Sequence, residues 1–94
     1  MSVRVFAFKM IKELSHVELK VMLYMLNEVS VGEMLIFKEL KLRHGIEYDE
    51  AFKALEALVK KGYVEHVLGK CYNLSKELRS RRIREQILNI LKID

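Results

Sequence analysis

Two groups of cationic side chains in this chain are placed to hold phosphate. Lys38, Lys41 and Arg43 fall within one short segment, and Arg79, Arg81, Arg82 and Arg84 form the densest positive charge. A Lys or Arg that neutralises a phosphate releases a counterion, which makes such binding strongly salt-sensitive. The plain alternative for both groups is a solvated helix face, and Glu77 and Glu85 stand beside the arginines to pair with them. His16, His44, His66 and Cys71 carry the nitrogen and sulfur donors that zinc prefers. None of them has the close C-x-x-C or H-x-x-x-H spacing of a metal site. His66 and Cys71 would face each other across a hairpin, but two ligands do not close a tetrahedron. No metal and no cofactor is expected. Ser, His and Asp are present but lie in no nucleophile-elbow or phosphate-loop pattern. A domain this small leaves little room for a cleft, so an enzyme is not expected.

The bulk composition bounds the rest. Ninety-four residues make one domain, 1–94, and 51% hydrophobic residues can bury a modest core. A net charge of +4 and a pI near 9.3 favour an anionic partner without requiring one. No apolar run approaches the roughly 20 residues of a membrane span, and no secretory signal is visible. The single cysteine, Cys71, allows no internal disulfide. A cytoplasmic location is therefore the expectation. One Gln among many Lys and Glu fits a thermophile weakly.

Elements that would position these side chains follow from periodicity. Residues 2–14 fit both a strand alternation and a helical stripe, and are expected to be a short extension ending in a helical turn. Ser15 with Glu18 forms a capping box, opening a helix whose stripe is Leu19, Met22, Leu23 and Leu26. Ser30-Val31-Gly32 reads as a loop, and Met34-Leu35-Ile36 as a brief strand pairing with a later hairpin. Phe37–His44 is a second helix with Phe37 and Leu40 inward and the cations outward, ended by Gly45. From Glu47 a third helix carries Ala51, Leu55, Leu58 and Val59 at helical spacing, with Lys60 and Lys61 in its last turn and Gly62 beyond. Tyr63–Val67 and Cys71–Leu74 are β-prone runs around Leu68-Gly69-Lys70, expected as a hairpin with a type II′ turn. Ser75 would cap a last helix running to about Ile93. Its basic half is followed by the stripe Ile83, Ile87, Ile90 and Leu91.

This order, with Ala54–His66 as its most specific piece, resembles the winged helix-turn-helix regulators. The resemblance implies a mainly α fold with a small β-hairpin, a winged-helix core at 15–74, and a C-terminal helix, 75–93, for dimerisation. It implies double-stranded DNA as the partner of a homodimeric transcriptional regulator reading half-sites about one helical turn apart. Phosphate contacts would come from Lys38, Lys41 and Arg43 on the second helix, Lys70 at the wing tip, and Arg79 and Arg82. Base contacts would come from Tyr48 and Lys53, and the dimer seam from Ile83, Ile87, Ile90 and Leu91. One departure stands out: the third helix begins Glu47-Tyr48-Asp49-Glu50, which would repel phosphates although a carboxylate can accept from cytosine N4. The alternative expectation is a winged helix used as a protein-interaction module or replication-initiation component.

Overall fold

In the computed structural model, which describes residues 2–93, the capping box that opens the helical core forms as expected. Ser15 Oγ accepts from the Glu18 amide, and a Glu18 carboxylate oxygen accepts from the Ser15 amide. Residues 1 and 94, the ends of the expected 1–94 domain, lie outside the described residues. The order is α1 (Val3–Glu13), α2 (His16–Glu28), β1 (Ser30–Gly32), α3 (Glu33–His44), α4 (Tyr48–Lys60), β2 (Val64–Val67), β3 (Cys71–Leu74), a 3₁₀ turn (Lys76–Leu78) and α5 (Arg81–Ile93).

Helices α2, α3 and α4 pack around one core with a three-stranded antiparallel sheet of order β1-β3-β2. This is a winged-helix-like architecture. Apolar residues of α4 at i, i+3, i+4 and i+7 (Ala51, Ala54, Leu55 and Leu58) are all buried against α2 and α3. Gly62 adopts a left-handed φ of 85°, and the Tyr63 amide reaches back to the Leu58 carbonyl at 3.0 Å. That 6→1 bond ends the helix and sends the chain into the wing.

Several expectations need correction. Residues 3–13 form a full helix, not an extension. Val3, Phe6, Ala7 and Met10 line a helical face that packs on the domain, and Phe6 meets Tyr63 edge-to-face at 5.5 Å. Burial of this face at helical spacing, Ala7 and Met10 above all, decides for the 3.6-residue period over the alternation.

The short strand is Ser30–Gly32, not Met34–Ile36. Val31 pairs with Tyr72, and Met34–Ile36 form the first turn of α3. Glu33 at the helix start suits the dipole, while Ile36 and Leu40, four residues apart, are buried together.

The C-terminal segment is a 3₁₀ turn and a separate helix. Leu78 is drawn into the core, and Ser80, whose Oγ lies 3.5 Å from the Ile83 amide, takes the capping place expected of Ser75, which makes no side-chain cap bond. The wing turn also differs in type. Both Leu68 and Gly69 have positive φ, 46° and 71°, with the Lys70 amide bonded to the Val67 carbonyl. Positive φ at both central positions is the I′ pattern, which matches strand twist.

Helix α1 also changes the meaning of the stripe on α5. Ile87 is 0% exposed and Leu88 is buried, in a helix that lies against α1 and α2 of its own chain. Ile83 and Leu91 pack half-buried on the same core, and Ile90 is half-buried. Ile87 is thus enclosed within its own chain, while Ile83, Ile90 and Leu91 keep part of their surface open.

Candidate protein and nucleic-acid interface

The face bounded by α3, α4 and the wing is where a winged helix would meet DNA. Several large apolar side chains lie open there. Met34 is 89% exposed, Tyr48 56% and Phe52 38%, and Leu35 is exposed beside them. Gly32, Glu33, Met34 and Leu35 at the start of α3, with Phe37, Tyr48 and the Gly69-Lys70 turn, enclose a groove of about 830 Å³.

Two aromatic rings, Phe37 and Tyr48, line it, and further rings pack beside them. Phe37 and Tyr48 meet at 4.5 Å, Tyr48 stacks on Phe52 at 6.1 Å, and Phe37 meets Tyr72 edge-on at 6.4 Å. His66 of β2 stacks on Tyr72 of β3 at 4.2 Å, and its Nε2 lies 3.3 Å from a Glu33 carboxylate oxygen. These contacts tie the wing to α3. Burial holds the Tyr72 phenol above its ordinary range, and the Glu33 charge adds to the effect. A second crease of about 240 Å³ continues along α4, between Phe52, Glu56, Val59 and Lys60 on one side and His66 and Tyr72 on the other.

The expected phosphate-binding cations divide into two sets. Lys41 pairs with Glu47 at 3.4 Å. Arg43 pairs with Glu39 at 3.0 Å and lies over the Tyr24 ring. Arg79 donates from Nε to the Leu74 carbonyl and from Nη2 to Glu65, both at 2.9 Å, so it staples the end of β3 to β2. Of the other arginines in that run, Arg81 pairs with Glu85, and Arg84 donates to the carbonyls of Arg79 and Leu26. Lys38, Lys53, Lys70 and Arg82 form no ion pair among the described residues.

The structure therefore brings Tyr48 and Lys70 to one groove, which the other six expected DNA residues do not line. The acidic start of α4 is partly explained by Lys41, which holds Glu47. Asp49 and Glu50 sit in the first turn, where carboxylates suit the dipole.

Met34, Leu35, Phe37, Phe52, His66 and Tyr72 were not expected at a site. One signal for them exists in the sequence. Tyr48, Phe52 and Val59 recur at i, i+4 and i+11 on a face that adjoins the buried stripe of the same helix, so the apolar surface of α4 runs on past the core, and Val59, expected in that stripe, is exposed. Among the described residues no group of three or more His, Cys, Asp or Glu converges as a metal site. No described helix is long and apolar enough to cross a membrane.

The family model described as PolB1 Binding Protein 2 matches residues 15–80, from the cap of α2 to the cap of α5. The match spans most of the chain, and the chain belongs to that family. No curated protein and no solved structure matches it.

Proposed function

We propose that this member of the PolB1 Binding Protein 2 family is a replication-associated interaction module that binds the DNA polymerase PolB1. Its docking surface is the aromatic groove between α3, α4 and the wing. The observation that carries this reading is the concentration of open Met34, Leu35, Tyr48 and Phe52 where a winged helix would present cations to DNA. Methionine and aromatic side chains are enriched in the cores of protein interfaces, and contiguous exposed apolar surface marks partner sites. Internal pairing of Lys41, Arg43 and Arg79 removes cations from a phosphate surface. Together with the family match, this favours the interaction module over an operator-reading regulator.

Titration calorimetry of the chain with purified PolB1 tests the proposal. Replacing Tyr48 and Phe52 together by Ala should weaken binding by at least about tenfold, since buried aromatic anchors dominate interfaces. The thermal melt should show the variant folded. Unchanged affinity would remove the groove from the polymerase contact, and no binding by the wild type would overturn the whole reading.

One observation favours a second partner on the same side of the molecule. Lys38 of α3, Lys53 of α4 and Lys70 of the wing turn have no carboxylate partner among the described residues, and Lys70 lines the groove. They support a weak, sequence-independent contact with duplex DNA held by the polymerase. Fluorescence anisotropy with random duplex should show affinity falling steeply with salt. Affinity unchanged between low and high salt would remove it.

A further inference from the structure

We propose that the crease between α1, α2 and α5 is a second docking groove, one that takes an acidic amphipathic helix from another protein. The groove holds about 290 Å³ and is lined by Ile11 of α1, by His16, Leu19, Lys20 and Leu23 of α2, and by Leu91 of α5. Four of these six are apolar, two are basic, and none is acidic. Leu19, Leu23 and Leu91 rest on the core with their inner sides and leave their outer sides open. Phe8, 53% exposed and one turn before Ile11 on α1, extends the apolar surface toward the N-terminus.

Spacing on α2 gives the occupant its form. Leu19 and Leu23 are four residues apart, as are His16 and Lys20, so an apolar ridge and a basic rail run side by side along one helix. A helix laid in such a groove anchors through apolar residues at i, i+3 or i+4, and i+7. Carboxylates along its edge would meet Lys20 and His16. Neither has an ion-pair partner among the described residues, so an incoming carboxylate displaces no existing pair. Lys12, exposed in the last turn of α1, adds positive charge near the same end. Electrostatic complementarity of this kind selects partners and orients them.

The groove shares no lining residue with the aromatic groove between α3, α4 and the wing. Ile11 and Leu91 lie outside residues 15–80, so helices flanking the matched segment build two of its walls.

The probe is a fluorescein-labelled synthetic helix of about five turns, with Leu at i, i+4 and i+7 and Glu on the flanking positions. A twin carries Lys in place of each Glu. The acidic peptide should bind the chain, with amide shifts in nuclear magnetic resonance spectra centred on Ile11, Leu19, Leu23 and Leu91. The Lys twin should not bind. A chain carrying His16→Glu and Lys20→Glu should keep its melting curve, lose about tenfold or more in affinity for the acidic peptide, and gain affinity for the Lys twin. Equal binding of both peptides, shifts on the α3–wing face, unchanged affinity in the double variant, or no binding at low salt would each overturn the proposal. None of these outcomes bears on PolB1, because the wing-face variants report on that contact separately.

Discussion

The rings of Phe37 and Tyr48 meet with centroids 4.5 Å apart, joining α3 to α4 across the turn of the helix-turn-helix. The two rings have different duties. Phe37 also meets Tyr72 edge-on and packs half-buried on the core, whereas Tyr48 is more than half exposed. Replacing Phe37 by Ala should destabilise the fold by about 2–4 kcal/mol, through lost burial and two lost ring contacts. Tyr48→Ala should cost at most about 1 kcal/mol of stability while weakening PolB1 binding far more. Urea melts beside calorimetric titration would separate the two. An equal loss of stability in both variants would count against Tyr48 as an interface residue.

Arg79 and Arg82 stand three residues apart in what reads as one phosphate-binding run, yet the structure separates them. Arg79 donates to the Leu74 carbonyl and to Glu65, while Arg82 has no ion pair among the described residues. The Glu65 pair is partly solvated and contributes little. The bond to the carbonyl is the larger part. Arg79→Ala should cost about 1–2 kcal/mol, lowering Tm by roughly 4–16 °C for a chain of this size. Arg82→Ala should leave Tm within about 2 °C. Differential scanning calorimetry decides, and a Tm loss on Arg82→Ala matching that on Arg79→Ala would contradict the assignment.

How much of this was legible in the sequence depends on whether a signal was local. Caps were legible. Ser15 with Glu18, and Gly62 after Lys61, mark helix ends through contacts within a few residues, and they stand where expected. The hairpin was legible for the same reason. Met34–Ile36 was misplaced because a short apolar run fits a strand or a buried helical turn equally well. What decides is Ile36 meeting the core one turn before Leu40. Arginine partners were legible only where they are local, as for Arg81 and Glu85 four residues apart on α5. Arg84 reaches the Leu26 carbonyl across 58 positions, and no window of sequence shows that. The aromatic groove was half legible. Tyr48 was singled out for base contact, but its neighbours Phe37 and Tyr72 converge from elements distant in sequence.

Ile87 and Ile90 separate an enclosed side chain from a more open one on the same stripe. Ile87 has no exposed surface, while Ile90 is half-buried. Ile87→Ala should cost about 2–5 kcal/mol, as for other cavity-forming core changes. Ile90→Ala should cost at most about half as much, because the site is open to water and can relax. Ile87→Glu should unfold the chain at any protein concentration, since it would bury an unpaired carboxylate. Chemical denaturation at two protein concentrations checks this. A midpoint for Ile87→Ala that rises with concentration would instead indicate that copies associate through this helix.

Tyr63 makes stability depend on pH in the alkaline range. It is almost fully buried between α1 and the wing, and its hydroxyl lies 3.3 Å from a Glu13 carboxylate oxygen. Burial first, and then the Glu13 charge, push its pKa from 10.0 up to about 12. The sign follows from proton counts. Below the unfolded value of 10.0 the phenol is neutral in both states, and its contribution to stability is fully present. Above it the unfolded chain sheds the proton while the folded chain holds it, so stability falls as pH rises toward about 12. The loss attributable to Tyr63 is about 2–3 kcal/mol across that window. Burial also raises Tyr24 and Tyr72, and these add in the same direction. Urea melts at about pH 9 and about pH 11 should show the decline. The Tyr63→Phe variant, which has no proton to lose there, should show a shallower one. A variant as pH-sensitive as the wild type would mean that Tyr63 titrates normally in the folded chain.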